Sequence, residues 1–271
     1  MVSIITITLN SEKYLLETIS SVLSQTYSHF EYLIVDGGSS DRTLEIVNSF
    51  KDSRIKIYSA KDNGISDAMN RGIFLSRGEV IGFIHSDDYY APDAIEKSLA
   101  EMKRQNSEWS YGLMDYIDSE GKFLYRAGNS FSLSKIKRFM SMNHPTVFCK
   151  KTLYEKYGVF NANYKLAMDY DLCLRFALKE KPAFVDSVVA SMRLGGASSQ
   201  SISAEFKATQ EAKAIKNKLV SEAWLINQID WLWSSLKIYL RHFLLKCSFG
   251  ANFILKFRKF VNPNVHRQNS K

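Results

Sequence analysis

The chain has 271 residues, of which 45% are hydrophobic and 24% are charged. This length suffices for one large α/β domain with or without a helical appendage, and this composition excludes a largely disordered chain. Its three cysteines form no CxxC pair, the first residues do not resemble a signal peptide, and no apolar stretch reaches the roughly 18 residues of a membrane-spanning helix. These features predict a protein of the reducing cytoplasm. The formal net charge of +8 lies entirely in residues 201–271, with 12 basic and 4 acidic residues, whereas residues 1–200 carry 24 of each.

The first hundred residues alternate predicted strands and helices with short connections. A β-branched run, typical of a strand buried inside a parallel sheet, predicts a strand at residues 2–9, and further strands are predicted at 32–35, 55–58 and 80–84. Helices are predicted between them, the first capped by Asn10-Ser11, the second by Ser39 or Ser40, and the third over residues 67–75. This order predicts a doubly wound α/β sheet, in which ligands collect at the carboxyl ends of the strands.

The pattern loosens in the second half of the chain. A helix is expected to begin at Pro92, because proline suits the first helical turn. The elements expected after it are strands at 109–115, 123–126 and 183–192 and a helix that begins near Asp169. Residues 201–271 are mostly helical in character and are predicted to form a separate basic helical extension.

The segment Ile84-His85-Ser86-Asp87-Asp88 carries the strongest chemical signal. Two adjacent acids at the end of an apolar strand repel each other unless a cation lies beside them. Mg²⁺ or Mn²⁺ suits such a site, because these ions bind through one or two carboxylates together with substrate phosphates. The alternative is a surface turn in which an aspartate caps a helix.

Two further polar clusters follow predicted strands. In Asp36-Gly37-Gly38-Ser39-Ser40-Asp41 a carboxylate can accept hydrogen bonds from a base or ribose, and the glycines allow close backbone approach. The segment from Asp62 to Asp67 precedes a helix. Ordinary loops with helix caps are the alternative for both clusters. Neither the GxGxxG fingerprint nor a Walker lysine motif is present.

Together these segments resemble family 2 glycosyltransferases of the GT-A fold. The resemblance covers roughly residues 1–200 and rests on the segments 3–10, 36–41, 62–72 and 86–88. It implies a Rossmann-like, doubly wound mixed sheet, with a nucleotide-sugar half at 1–105 and an acceptor half at 106–200. At the position of His85, the family more usually has an acid, the first of its metal motif.

The resemblance also implies roles for single residues on the donor side. Thr8 and Asp36 would hold the nucleotide base, and Asp67 would lie near the nucleoside. Ser86 would bind the donor, and Asp87 would face the ribose and share the metal. The remaining acid, Asp88, would be the principal ligand of Mg²⁺ or Mn²⁺.

On the acceptor side, Asp169 falls on the position of the family's catalytic base. The family commonly has Glu before this acid, whereas Met168 stands here. A hydroxyl nucleophile has a high pKa, so a carboxylate must accept its proton as the new bond forms. A helix cap is the alternative for Asp169. The cap is favoured for Asp171, which is also spaced to form a surface pair with Arg175.

Two other segments resemble functional parts of the family. His144 lies where the family places the acceptor, or it fills a polar pocket. Arg193, Gly195 and Gly196 resemble a flexible loop that closes over the donor diphosphate and excludes water. A plain glycine turn is the alternative for that loop.

The C-terminal extension has an apolar stripe at helical spacing, made of Trp231, Leu232, Trp233, Leu236, Tyr239, Leu240, Phe243 and Leu244. Lys237 and Arg241 lie on the other side, further basic and aromatic residues alternate over 253–260, and no acid follows Asp230. These features predict a helix in the interface of an anionic membrane. Packing on the catalytic domain, or on a second subunit of a homo-oligomer, is the alternative. No recognition motif supports nucleic-acid binding.

The sequence thus predicts an inverting enzyme that moves one sugar from a UDP-, GDP- or dTDP-sugar to a lipid-linked saccharide at the inner face of the plasma membrane. Transfer of a single sugar is favoured because the Gln-x-x-Arg-Trp motif of processive synthases is absent. A membrane-bound scaffold with a non-catalytic nucleotide site and a sugar-phosphate nucleotidyltransferase are the alternative functions.

Overall fold

The computed structural model describes residues 1–195, 201–220, 224–246 and 265–266. Its strands are β1 (Val2–Thr8), β2 (Phe30–Asp36), β3 (Ile55–Ser59), β4 (Val80–Phe83), β5 (Tyr89–Tyr90), β6 (Trp109–Ile117), β7 (Phe123–Ala127), β8 (Phe148–Lys150), β9 (Ala183–Arg193) and β10 (Val265–His266). Its α-helices are α1 (Leu15–Leu23), α2 (Thr43–Ser49), α3 (Ile65–Leu75), α4 (Ala94–Arg104), α5 (Leu133–Ile136), α6 (Lys151–Tyr157), α7 (Met168–Ala177), α8 (Ile202–Leu219) and α9 (Trp224–Lys246). A 3₁₀ turn covers His144–Thr146.

The first four strands form the parallel part of the sheet in the spatial order β3-β2-β1-β4. The chain builds outward from β1 through β2 and β3, and then returns to place β4 on the other side of β1. This reversal confirms the predicted doubly wound α/β sheet. It also creates a switch point between β1 and β4, where a crevice opens at the carboxyl ends of the strands.

The second half of the chain makes the sheet mixed. Strand β8 runs antiparallel to β4 and to the start of β6. Strand β6 then pairs with β7 in the antiparallel sense and with β9 in the parallel sense. Strand β9 also pairs with β5, which comes from the first half of the chain.

Side chains from both faces of β1 and β2 are buried, which explains why apolar residues face both ways along these strands. Ile5, Leu33 and Val35 pack into one hydrophobic cluster with helix α3. Ile4 and Ile34, which alternate with them, pack into a second cluster with helix α1. The central strands are therefore fixed from both sides, and the polar residues at their carboxyl ends have a rigid base.

The predicted helix caps were wrong, because these polar side chains join two loops instead. The backbone N–H of Asn10 donates to Ser39 Oγ at 2.8 Å, and Asn10 Oδ1 accepts from the N–H of Ser40 at 2.9 Å. Asn10 adopts a φ of 51°, in the left-handed region that asparagine tolerates. Helix α1 begins at Leu15 and α2 at Thr43, well after these residues.

The extension begins with α8, which packs against α7 and against α9. Helix α9 turns polar residues inward, since Asn227 and Ser235 are buried. The Lys213 ammonium nitrogen lies 4.1 Å from the ring centroid of Trp231. The large apolar side chains of α9 that are exposed are Leu225, Ile226, Ile229, Leu232, Trp233, Leu236 and Tyr239. Within the described residues, none of the helices has the length and apolarity needed to cross a membrane.

The exposed face of α9 differs in part from the predicted stripe. Leu232, Trp233, Leu236 and Tyr239 lie on it as expected. Trp231 is half-buried on the other side of the helix because it packs against Lys213. The side chains of Leu240, Phe243 and Leu244 and the whole of residues 253–260 lie outside the described part of the chain.

Candidate active site

The candidate site lies at the carboxyl ends of β1, β2 and β4. The register of the strands sets Thr8 beside Asp36, and Thr8 Oγ1 donates to Asp36 Oδ1 at 3.2 Å. The loop after β4 carries His85 to Asp88 at the same edge of the sheet. The sheet therefore brings together the strand-end polar residues that the sequence predicted as a donor site.

Asp36 is completely buried and organises the loop after β2. Its carboxylate accepts hydrogen bonds from the N–H groups of Gly38 and Ser39 and from the Ser59 hydroxyl, the last at 2.6 Å. Burial alone would raise the pKa of Asp36, but the hydrogen bonds from Ser39 and Ser59 outweigh it and hold the pKa below its ordinary value. Asp36 is thus ionised and shapes this loop; its contact with a nucleotide base stays a prediction.

The next loop approaches closely, so a side chain at Gly37 would have to displace the carboxylate of Asp62. A Cβ on Gly37 would lie 2.4 Å from Asp62 Oδ2. Asp62 in turn accepts from the N–H of Gly64 at 2.8 Å. Asp67 Oδ2 accepts from the N–H of Asn63 at 3.0 Å, so this partly exposed carboxylate stabilises the turn before α3. Its proximity to a nucleoside stays a prediction.

The two adjacent acids after β4 differ in exposure. Asp88 is only 2% exposed, and its Oδ1 accepts from the backbone N–H of Arg193 at 3.0 Å. Burial, together with the charge of Asp87, raises the pKa of Asp88 well above its ordinary value. Asp87 itself is partly exposed. A cation beside these two carboxylates would reduce their mutual repulsion and stabilise their ionised forms.

The donor set fits a hard divalent ion that is shared with a substrate. Within residues 1–195, 201–220, 224–246 and 265–266, no three His, Cys, Asp or Glu side chains gather into a metal-binding group. Asp88 and Asp87 therefore offer an incomplete set of oxygen ligands. Mg²⁺ and Mn²⁺ accept such a set, because phosphate oxygens and water complete their coordination.

The acid-bearing loop is fixed against α1. Thr18 Oγ1 donates to the backbone oxygen of Asp88 at 2.7 Å, and Ser86 Oγ donates to Ser11 Oγ at 2.9 Å. Ser86 therefore holds the loop in position, and its contact with the donor stays a prediction. The sequence did not indicate Thr18, because a single threonine inside an amphipathic helix carries no local signal.

Arg193 was expected in a flexible loop but lies at the end of β9, where its side chain is buried. Its guanidinium donates to Glu17 Oε2 at 2.6 Å and to the backbone oxygens of Asp118 and Ser119. It also lies 4.0 Å from the ring centroid of Tyr14. The predicted position of Arg193 in a flexible loop was wrong, because these contacts with distant parts of the chain fix the residue at the end of the strand.

Of the rest of the predicted loop, only residues up to Gly195 are described. Gly195 has a φ of 120°, in the region that favours glycine, as a turn requires. Gly196 lies outside the described residues. The closing of this loop over a diphosphate stays a prediction.

Asp169 lies in the first turn of α7, close to the predicted helix start. Its Oδ1 accepts from the N–H of Tyr170 at 2.8 Å. Burial raises the pKa of Asp169 to about 6. The carboxylate is therefore ionised at neutral pH but more basic than an ordinary aspartate, as a general base should be.

Asp171, two residues further on, has a different role from Asp169. It forms an ion pair with Arg175, with 2.8 Å between the guanidinium and Oδ2. The partner was predicted correctly, but Asp171 is buried and Arg175 only partly exposed, so the pair does not lie on the open surface. Arg175 also donates to the backbone oxygens of Gly158 and Val159, so the pair ties α7 to the loop after α6.

His144 connects the donor loop to the acceptor half. It is 4% exposed, and its ring centroid lies 5.9 Å from that of His85 and 5.4 Å from that of Phe160. Its Nδ1 has no hydrogen-bond partner within the described part of the chain. Burial, together with His85, lowers the pKa of His144 to about 3, so the ring is neutral at physiological pH. The sequence did not indicate this histidine pair.

Known proteins resemble this chain in sequence. The sequence matches the family described as Glycosyl transferase family 2 over residues 3–160. It is 34% identical over 216 residues to a PGL/p-HBAD biosynthesis glycosyltransferase of Mycobacterium bovis, which covers 76% of this chain and 82% of the relative. It is 33% identical over 182 residues to a chondroitin synthase of Escherichia coli, which covers 65% of this chain but 26% of that relative.

Solved structures share the fold at low sequence identity. S. aureus TarS in complex with UDP-GlcNAc superposes with a TM-score of 0.67 at 19% identity, over 96% of this chain and 81% of that chain. The mannosyltransferase PcManGT from Pyrobaculum calidifontis, in complex with GDP-Man and Mn²⁺, gives 0.63 at 16% identity, over 96% and 82%. The fold is therefore GT-A, and the chain belongs to glycosyl transferase family 2.

Proposed function

We propose that the protein transfers one sugar from a UDP-, GDP- or dTDP-sugar to an acceptor hydroxyl with inversion at the anomeric carbon. The observation that carries the proposal is the buried Asp88 beside Asp87 at the switch point of the sheet. These acids would hold Mg²⁺ or Mn²⁺ together with the donor diphosphate. When bound, the ion supplies a Lewis acid that offsets charge on the departing nucleoside diphosphate.

Asp169 is proposed as the base. At neutral pH its carboxylate accepts the proton of the acceptor hydroxyl while the hydroxyl oxygen forms a bond to the anomeric carbon. The bond from that carbon to the diphosphate oxygen breaks on the opposite side, so the configuration inverts. The neutral His144 ring, whose Nδ1 lacks a partner in the described structure, offers a contact for an acceptor hydroxyl.

The comparisons favour this class of reaction. One relative is named for PGL/p-HBAD biosynthesis and another is a chondroitin synthase, and proteins of similar fold were solved in complex with UDP-GlcNAc or GDP-Man. We therefore infer a role in polysaccharide or glycolipid biosynthesis. Membership of the family favours a glycosyltransferase over the nucleotidyltransferase and the scaffold.

A donor panel tests the proposal. UDP-, GDP- and dTDP-sugars are incubated with the full chain and Mn²⁺, and the released nucleoside diphosphate is measured with and without EDTA. We expect release that EDTA abolishes and that falls at least 100-fold in Asp88→Ala and in Asp169→Asn. Asp186→Asn, an exposed acid on β9, serves as the control. Full turnover in both site variants would remove the assignment.

The acceptor is proposed to be a lipid-linked saccharide at the inner face of the plasma membrane, reached from the cytoplasm. Seven large apolar side chains are exposed on one face of α9, and the segment 201–271 carries the whole net charge of +8. An apolar face next to basic residues suits the interface of an anionic membrane, where each Lys or Arg contributes about 1 kcal/mol. A second copy of the chain is the competing occupant.

Vesicle sedimentation tests the membrane proposal. The wild type should sediment with phosphatidylglycerol vesicles and not with phosphatidylcholine vesicles. The double variant Leu232→Glu, Trp233→Glu should lose this binding, whereas Phe74→Glu, at an exposed apolar residue on α3, should keep it. If the wild type stays in the supernatant and sediments as a dimer in equilibrium centrifugation, the face of α9 is a subunit interface.

A further inference from the structure

The loop that leads into α7 is held by a carboxylate from the C-terminal extension. Glu211, in the middle of α8, accepts hydrogen bonds from three consecutive backbone N–H groups. Its Oε2 lies 3.0 Å from the nitrogen of Lys165, 2.8 Å from that of Leu166 and 3.0 Å from that of Ala167. Ala167 is the N-cap residue of α7 and has no side chain that could act as a cap.

Charge strengthens this contact. A carboxylate that accepts from backbone N–H groups makes hydrogen bonds about twice as strong as those between neutral groups. The positive end of the helix dipole of α7 adds to the attraction. Glu211 therefore binds the N–H of the N-cap residue and of the two residues before it, and so fixes the entry into α7.

A second set of contacts joins the extension to α7 indirectly, through the segment of residues 136–138. Lys216, buried on α8, donates to the backbone oxygen of Arg138 at 3.1 Å, and Arg138 forms an ion pair of 2.7 Å with Asp230 on α9. The Tyr170 hydroxyl donates to the backbone oxygen of Ile136, in the same segment, at 2.8 Å. The residue after Asp169 is thus tied to a segment that α8 and α9 hold in place.

We propose that Glu211 is a positioning residue for Asp169, so that the extension sets the geometry of the base as well as any contact with a membrane. Asp169 lies only two residues after the N-cap that Glu211 holds. A shift of this turn moves the carboxylate away from the acceptor hydroxyl. Misplacement by about 1 Å can cost about 100-fold in rate. The proposal rests on the proposed function, in which Asp169 is the base.

The test compares Glu211→Ala, Glu211→Gln and a matched control in the full chain. Gln210→Ala is the control, because Gln210 is the exposed neighbour of Glu211 on α8. Two quantities are measured: the kcat and KM for the best donor of the panel, and amide hydrogen exchange at residues 165–167. The exchange readout reports on the loop whether or not the reaction has been assigned correctly.

For Glu211→Ala we expect kcat to fall 10- to 100-fold, donor KM to stay within twofold, and exchange at residues 165–167 to accelerate at least tenfold. Glu211→Gln should fall between this variant and the wild type, because its carboxamide keeps one oxygen acceptor. Gln210→Ala should match the wild type. This pattern separates positioning from donor binding, because a loss of donor binding would raise the KM, whereas here kcat falls and the KM stays nearly the same.

Two results would overturn the proposal. Unchanged exchange in Glu211→Ala would show that the carboxylate does not hold the loop. Faster exchange with kcat within twofold of the wild type would show that the loop does not position the base. Asp169→Asn is assayed in parallel: if it turns over normally, the assignment of the base has failed, whereas an inactive Asp169→Asn beside a fully active Glu211→Ala removes only the positioning role.

Discussion

Asp169→Asn should make the protein more stable at neutral pH while it abolishes transfer. Burial raises the pKa of Asp169 from an ordinary value of 3.8 to about 6, so the folded state disfavours the ionised carboxylate. Asparagine has nearly the same shape, keeps an oxygen that can accept from the Tyr170 N–H, and carries no charge. The substitution therefore removes a destabilising charge and the proposed catalytic base at once.

The size and pH range of the effect follow from linkage. A tenfold change in a dissociation constant is worth about 1.4 kcal/mol, so the rise to about 6 corresponds to an upper limit of about 3 kcal/mol. Because Asp169 is partly exposed, water screens its charge, and we expect a gain of about 1–2 kcal/mol. The folded-state pKa lies above the unfolded one, so stability is lost as the pH rises from about 4 to about 6. The gain should therefore be complete at pH 7.5 and absent below pH 4.

Urea unfolding at pH 7.5 and at pH 4 measures this difference. Asp171→Asn is the matched control on the same helix, because loss of its buried ion pair with Arg175 should destabilise the protein at pH 7.5. The reasoning is refuted if Asp169→Asn is no more stable than the wild type at pH 7.5, or if its gain persists unchanged at pH 4.

Three further outcomes are expected. The kcat/KM of the wild type should fall about tenfold per pH unit below pH 6, because protonation of Asp169 removes the base; a profile flat from pH 5 to 8 would contradict this. Gly78→Ala should lower the free energy of unfolding by about 2–3 kcal/mol in urea titrations, because its Cβ would lie 2.5 Å from the backbone nitrogen of Ser3; an unchanged midpoint would argue against this contact. Arg193→Lys should cost about 2 kcal/mol by the same assay, because lysine cannot serve Glu17 and two backbone oxygens together; full stability would show that these bonds contribute little.

The parallel core could be predicted because its signals are local. Strands β1, β2 and β4 are buried runs rich in apolar residues, and the acids Asp36, Asp87 and Asp88 lie at or just after their ends. Burial on both faces of the sheet requires such runs, so the sequence pattern and the fold agree. The same reasoning located the start of α7 and with it Asp169.

Contacts between distant parts of the chain could not be predicted. Arg193 and Glu17 are 176 residues apart, and nothing near either residue indicates the other. The serines and asparagine assigned as helix caps serve a neighbouring loop, since a hydroxyl or amide oxygen can accept from any nearby N–H group. Glu211 gave no signal for a related reason, because a glutamate in an exposed helix is usually solvated.

The pairing of β6 has a mechanical consequence. Its partners β8 and β9 pair in turn with β4 and β5 of the first half, so continuous ladders link β6 to both halves of the sheet. A hinge between the halves would have to break these backbone hydrogen bonds, so substrate-induced adjustment should be confined to the connections that leave the sheet. The same continuity predicts that both halves melt in a single cooperative transition.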